Sequence, residues 1–198
     1  MKLEDLNKIK NEYEDLVKVR KVIAEEGEKL AKNTAYRKQV LVCGGTGCTS
    51  SGRQEVIKAL EDSLKANGID NEVLVVRTGC FGLCALGPIM IVYPEGCFYS
   101  EVKVEDIPEI VEEHLLKGRI VDRLVYKDTG AEADLEGHVS LNDTAFYKKQ
   151  KRVALHGGGV INPENIEEAM GYGAFQGLKR ALGMDRKAVI DEVRASGL

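Results

Sequence analysis

At the start of the chain, Leu3, Leu6, Ile9, Tyr13, Leu16, Val19 and Ile23 recur every three or four positions, with Glu, Lys and Asp between them. That period predicts one long helix over residues 2–32. No proline interrupts it, and Gly27 is its only glycine. The apolar stripe is narrow, so the helix is expected to lie along one surface or groove. A short coiled coil, giving a homo-oligomer through this helix, and an arm folded onto its own domain are equal readings.

From residue 38 the period changes. KQVLVCG has the apolar run of a strand, and SSGRQEVIKALEDSLKANG follows as a helix, with Ser50 or Ser51 as its N-cap and Gly68 as its stop. NEVLVVRTG is a second, valine-rich strand. PIMIVYPEG and CFYSEV are short apolar runs parted by Pro94, Glu95 and Gly96, which predicts a hairpin. VEDIPEIVEEHLLKG closes the unit as a helix stopping at Gly118. The order strand, helix, strand, strand, strand, helix predicts a small α/β sandwich with helices on one or both faces of the sheet.

Beyond residue 118 the patterning weakens. IVDRLVY reads as a final short strand or an extended tail, and DTGAEADLEGHVSLND, acidic and aperiodic, as a linker. Asn162 before Pro163 marks a helix start, IEEAMGYGAFQGLKRALG supplies the helix despite three glycines, and MDRKAVIDEVRASGL adds another capped by Asp185. Their apolar faces (Ile166, Met170, Phe175, Leu178, Leu182, Val189, Ile190, Val193) need a core to cover them. These helices read as the start of a larger, truncated domain.

Composition narrows the function classes. The 198 residues are 43% hydrophobic and 30% charged, enough to bury a core and remain soluble. A net charge of -4 argues against general nucleic-acid binding, which needs a basic surface. No stretch approaches a membrane span, and the charged N-terminus has no apolar signal core. A cytoplasmic location is expected, where thiols stay reduced, so the five cysteines read as ligands or catalysts rather than disulfides.

Four of those cysteines form two short-spaced pairs. Cys43 and Cys48 fall in the loop after the first strand, Cys80 and Cys84 in the loop after the second. A right-handed crossover through the intervening helix makes the strands parallel, and both loops then leave the same carboxyl edge of the sheet. Two pairs of thiols are expected to converge there. Four cysteines suit zinc or an iron–sulfur cluster. Structural zinc favours tight pairs, commonly with two residues between the ligands. Here four residues separate the first pair and three the second. Glycines on each side (Gly44, Gly45, Gly47, Gly79, Gly82, Gly87) let main-chain N–H groups approach a bulkier cluster. Two ferric ions, two sulfides and four thiolates carry a net charge of minus two, and minus three after one-electron reduction. The N-terminus of the helix beginning near Ser51 is expected to face Cys48, with Arg53 and Arg77 as further positive charges or as solvated side chains.

Other readings of these motifs stay in view. GGTGCTSSG lacks the Lys-Ser/Thr ending of a P-loop and does not fit G-x-G-x-x-G in register, and a phosphate loop leaves Cys80 and Cys84 unexplained. A thiol redox site would want C-x-x-C, which is absent. Cys97, without partner spacing, reads as a small buried thiol. LHGGGV is like an esterase oxyanion loop, but no G-x-S-x-G accompanies it, so its glycines read as a turn leading to the Asn162 cap. His114, between acidic neighbours, reads as solvated, and His138 lies in the linker. FYKKQKR reads as a solvated approach to a strand.

CGGTGC, then VVRTGCFGLCALGPIMIVYPEG, then a closing helix ending HLLKG together resemble the thioredoxin-like [2Fe–2S] ferredoxin domain over residues 38 to about 118. The C-x4-C and C-x3-C spacing is similar to that in the small iron–sulfur subunit of respiratory complex I. RVALHGGGVINPENIEEAMGYGAFQGLKRALGM resembles the beginning of the NADH-binding flavoprotein subunit of complex I. A ferredoxin-like module fused in front of such a subunit is similar to the beta subunits of cytoplasmic iron-only hydrogenases, including electron-bifurcating and NADP-reducing ones.

The resemblance implies a fold class, α/β and thioredoxin-like, preceded by a long N-terminal helix and followed by a small helical segment. It implies Cys43, Cys48, Cys80 and Cys84 as the ligands of a [2Fe–2S] cluster. The implied organisation is an arm over 1–35, the ferredoxin domain over 36–120, a linker over 121–145, and over 146–198 the start of an NADH/FMN-binding-subunit-like domain. The implied function is electron transfer within an NAD(P)H- and flavin-dependent oxidoreductase or hydrogenase complex. Its partners would be a hydrogenase-type catalytic subunit and a small ferredoxin-like subunit. In that family the glycine-rich flavin and NADH loop follows just after residues 194–198. FMN, NAD(P) and [4Fe–4S] centres are therefore expected only in the full-length protein, and this chain is not expected to oxidise NADH alone. The alternative from another class is a zinc-stapled structural or assembly module without redox activity.

Overall fold

The structure is a computed structural model that describes residues 3–22, 24–127 and 140–197. Its centre is a four-stranded sheet in the order β2-β1-β3-β4: β1 Lys38–Cys43, β2 Val73–Thr78, β3 Met90–Tyr93 and β4 Cys97–Tyr99. β1 and β2 are parallel, paired from Lys38↔Val73 to Cys43↔Thr78, whereas β1–β3 and β3–β4 are antiparallel. The pleat sends alternate residues to opposite faces. Val40, Val42, Met90, Val92, Cys97 and Tyr99 enter one core, and Leu41, Cys43, Ile91, Tyr93 and Phe98 enter the other.

The first core is roofed by two helical elements. The crossover helix, Arg53–Ala66, contributes Val56, Ile57, Leu60 and Leu64. The closing helix runs from Ile107–Glu109 into a wider π-helical stretch, Ile110–Leu116, that contributes Ile110, Val111 and Leu115. The lysine and glutamate positions of both elements face outward, as the sequence period implies. In the wider turns the Lys117 N–H bonds to the Glu112 carbonyl, and His114 is turned inward. It is fully buried rather than solvated as its acidic neighbours suggest, with Nδ1 2.7 Å from the Tyr99 hydroxyl.

The second core is covered by both ends of the chain. The N-terminal region is not one helix. It is α1 Leu3–Lys18, a 3-10 turn Val19–Lys21 and α2 Ala24–Ala31, with Val22 extended between them; Ile23 lies outside the described residues. Just before the break stands Arg20, whose side chain is buried and bonded to Gln39 of β1 at 2.5 Å and to the Glu168 carboxylate at 2.6 and 2.9 Å. α1 lies along a helix near the other end of the chain, Ile166–Gly171, so closely that a Cβ on Gly171 would come 2.7 Å from the Tyr13 Cβ. Leu6 and Val17 are buried within the chain itself, which is the folded-arm reading of the stripe.

Four boundaries differ from those the local signals suggest. The crossover helix is capped by Gly52 at φ 89°, not by Ser50 or Ser51, whose hydroxyls bond back to the Thr46 and Gly47 carbonyls of the five-residue helix α3, Thr46–Ser50. The helix after Pro163 is capped by Asn165, whose side chain accepts from the Glu168 N–H; Asn162 caps only a turn, accepting from the Glu164 N–H. The expected single helix beyond it is two, Ile166–Gly171 and Gln176–Leu182, separated by Gly173 and Phe175 at positive φ. Asp185 does cap Arg186–Ala195, as its sequence implies. The region read as a linker begins inside the fold, because Val121, Leu124 and Val125 are buried in the first core and Val125 bridges to Tyr99. Residues 128–139, including His138, lie outside the described residues.

Candidate metal centre

Because β1 and β2 are parallel and in register to Cys43↔Thr78, their following loops leave the same rim of the sheet. Cys43 is the last residue of β1, and Cys48 sits inside α3; both are buried. Cys80 and Cys84 are exposed on the loop after β2, Cys84 opening the 3-10 turn Cys84–Leu86. The four cysteines singled out from their spacing thus meet at one place.

Glycines show how closely. A Cβ built on Gly45 would lie 2.9 Å from the Cys80 Sγ and 3.6 Å from the Cys43 Sγ, so both sulfurs flank one point. A Cβ on Gly47 would lie 3.4 Å from the Cys84 Sγ, and one on Gly87 2.6 Å from the Cys48 Sγ. At Gly44 it would meet the Thr78 carbonyl at 2.2 Å, so only glycine lets the two loops touch. This is the crowding of backbone around sulfur that a cluster with bridging sulfides asks for.

Donors aim at the sulfurs. The Gly82 N–H bonds to the Cys80 Sγ at 3.2 Å. Burial pushes the Cys43 thiol up to about 11, against the pull of backbone groups at Phe81 and Gly45. Cys84 is raised chiefly by the charge of neighbouring Cys80. In a centre of four thiolates, the positive charge of the irons would offset this mutual repulsion. Cys97 stands apart in the first core, buried beside Tyr99, its thiol pushed up to about 12 by burial. That is the small buried thiol its isolated position suggests.

The expected sources of positive charge are only partly in place. Arg77 is exposed and paired with Glu61 at 2.8 Å, turned toward the crossover helix. Arg53 reaches the glycine turn, its Nη1 3.3 Å from where a Gly44 Cβ would stand. Cys48 lies within α3, and the crossover helix begins five residues later at Arg53.

The residues that spacing arguments missed come from the far end of the chain. FYKKQKR leads to no strand: it holds the short helix Ala145–Lys148, whose Tyr147 is buried and donates to the Phe81 carbonyl. The glycine run of LHGGGV is more than a turn toward a cap. Gly158 lies against the Cys80 carbonyl and Gly159 against the Phe81 ring, which a Cβ on Gly159 would enter at 2.6 Å. Three successive glycines without a phosphate or hydrolase motif to explain them were the available signal of close backbone approach.

The thioredoxin-like [2Fe–2S] ferredoxin family matches residues 28–115. A 2Fe–2S ferredoxin of Clostridium pasteurianum is 43% identical over 77 residues, covering 39% of this chain and 76% of that protein. The structure of a thioredoxin-like [2Fe–2S] ferredoxin from Aquifex aeolicus aligns with 36% identity and a TM-score of 0.42, over 46% of this chain and 91% of the other. The structure of an NAD+-reducing [NiFe]-hydrogenase in the air-oxidized state aligns with 14% identity and a TM-score of 0.37, over 47% of this chain and 17% of the other.

Proposed function

Because this chain belongs to the thioredoxin-like [2Fe–2S] ferredoxin family, we propose that it carries single electrons through a [2Fe–2S] cluster held by Cys43, Cys48, Cys80 and Cys84. The observation that supports this assignment is the meeting of the four thiols across Gly45, Gly47 and Gly87 at one rim of the sheet. When bound, the cluster supplies a centre that accepts and returns one electron without bonding to a substrate. The chain's own part is to hold and tune. Cys43 and Cys48 come from rigid, buried elements, and Cys80 and Cys84 from the exposed loop that faces a redox partner. The Gly82 N–H on the Cys80 sulfur draws electron density from that ligand and favours the reduced, more negative state.

The wider setting is part of the proposal. Residues 1–35 are proposed as arm, 36–120 as the ferredoxin domain, to whose core Val121, Leu124 and Val125 also belong, the rest of 121–145 as linker, and 146–198 as the start of a flavoprotein-like domain. The full-length protein is proposed to use FMN, NAD(P) and [4Fe–4S] centres in a cytoplasmic hydrogenase or dehydrogenase complex. The motifs quoted from residues 152–184 support this, as do the exposed apolar side chains Leu178, Leu182, Ile190 and Val193, which suit a covering protein surface. No helix among the described residues is long and apolar enough to cross a membrane.

Iron and acid-labile sulfide assay with visible and EPR spectra tests the reading. A brown protein with two irons and two sulfides per chain, bleached by dithionite, is the expected result. A colourless chain with stoichiometric zinc would replace it with a structural staple.

A further inference from the structure

The loop that bears Cys80 belongs to neither strand nor helix, and it includes Gly82 at φ +85°. Within itself it has the bond from the Gly82 N–H to the Cys80 sulfur. Other bonds that hold it come from residues 144–161, beyond the family-matched stretch that ends at 115. The Tyr147 hydroxyl donates to the Phe81 carbonyl. Arg152 Nη1 donates to the same hydroxyl at 3.1 Å, and its Nη2 donates to the Leu155 carbonyl at 2.6 Å and the Gly158 carbonyl at 2.5 Å. One guanidinium therefore ties the short helix to the glycine turn. That turn rests on the ligand loop: a Cβ on Gly158 would stand 3.3 Å from the Cys80 carbonyl, and one on Gly79 3.3 Å from the Gly158 Cα. The Thr78 hydroxyl closes the far side, donating to the Ile161 carbonyl at 2.9 Å.

Resting on the ligand assignment above, we infer that Tyr147 and Arg152 are positioning residues for the cluster. The clasp from Thr144 to Ile161 fixes the backbone of Cys80, Phe81 and Gly82 in the conformation that presents one thiolate and one N–H to the centre. The physical reason is that Cys80 itself is exposed: Phe81 and Leu83 of its loop pack into the second core, with Gly159 covering the Phe81 ring, but the backbone that presents the Cys80 sulfur depends on the bonds of the clasp. An untethered loop of this kind opens easily, and a cluster is released through its least-held ligand. Tyr147 is within electrostatic reach of the site: its hydroxyl is raised first by burial, and the Cys80 and Cys43 charges add to that. Arg152, bonded to that hydroxyl, sets a fixed cation near a centre that becomes more negative on reduction, which favours the reduced state.

The test compares the whole chain with Tyr147→Phe, Arg152→Gln and Arg152→Lys. Three quantities are read: hydrogen exchange of the peptide spanning 79–86, the rate of iron release to a chelator, and the midpoint potential. Tyr147→Phe removes two hydrogen bonds, the one to the Phe81 carbonyl and the one accepted from Arg152, and is expected to speed both exchange and iron release by about 2- to 10-fold for each bond lost. Arg152→Gln is expected to do the same and to lower the potential. Arg152→Lys is expected to restore the potential but not the release rate, because it keeps the charge without the guanidinium fork. Wild-type exchange, release and potential in both Tyr147→Phe and Arg152→Gln would overturn the inference. A wild-type chain that takes up no iron would overturn the ligand assignment instead, and the exchange comparison, which needs no iron, would still decide the clasp.

Discussion

Gly45→Ala separates a cluster site from a merely crowded turn. Gly45 has φ -64° and ψ 153°, a conformation alanine adopts without strain, so backbone freedom is not the reason for glycine here. What alanine adds is a methyl 2.9 Å from the Cys80 Sγ and 3.3 Å from its Cβ. Without a cluster, the Cys80 side chain is exposed and can rotate away. The unloaded variant is then expected to stay within about 1 kcal/mol of wild type, the lost chain entropy of glycine offsetting the adjustment. With Cys80 bound to iron the sulfur cannot move, and the contact is about 0.6 Å inside the short end of the non-bonded optimum near 3.5 Å. Overpacking of that size costs about 1–3 kcal/mol. That is about 5- to 150-fold weaker retention of the centre. Urea unfolding of the unloaded chain and iron release from the reconstituted one measure the two halves. A variant that fills with cluster and releases it at the wild-type rate would mean that Cys43 and Cys80 do not share a centre across Gly45. A large loss of unloaded stability would make the glycine a folding requirement instead.

Serine at Cys43, Cys48, Cys80 or Cys84 is expected to abolish or destabilise the cluster, whereas Cys97→Ser leaves two irons and two sulfides per chain by chemical assay. Glu168→Ala strands the Arg20 guanidinium, since both side chains are buried and their salt bridge spans 2.6 Å. The loss is expected to be about 3–5 kcal/mol. In a chain of this size it reads as a fall of roughly 6–20 °C in melting temperature. Arg20→Met combined with Glu168→Leu should recover much of it in the same melt, and a single-variant loss below 1 kcal/mol would refute the role of the pair. The Cys97 thiol is raised from 9.0 to about 12, so the folded state holds its proton more tightly than the unfolded one. Its contribution is full below pH 9 and is lost as pH climbs toward 12. Urea titrations of the unloaded chain across that window should therefore fall less steeply for Cys97→Ala, and equal slopes would count against the burial account.

How much of this was written locally can be seen residue by residue. The alternation of Val40, Leu41, Val42 and Cys43, the periodic Val56, Ile57, Leu60 and Leu64, and the left-handed stops at Gly68 and Gly118 are short-range patterns, and each reappears in the fold. Two loops at the ends of parallel strands then had to emerge together, so the meeting of both cysteine pairs followed from a chirality rule and their spacing alone. What tertiary structure alone decided involves partners far apart in the chain. Arg20, just before the break in the N-terminal helix, pairs with a carboxylate 148 residues away, and Tyr147 reaches a carbonyl 66 residues back. His114 faces inward because its helix widens against Tyr99. Such choices carry no periodic signature, since a buried charge or an orphaned carbonyl takes whichever partner the packed chain brings within reach, and neither the ion pair nor the clasp exists until both ends of the chain have closed over the same face of the sheet.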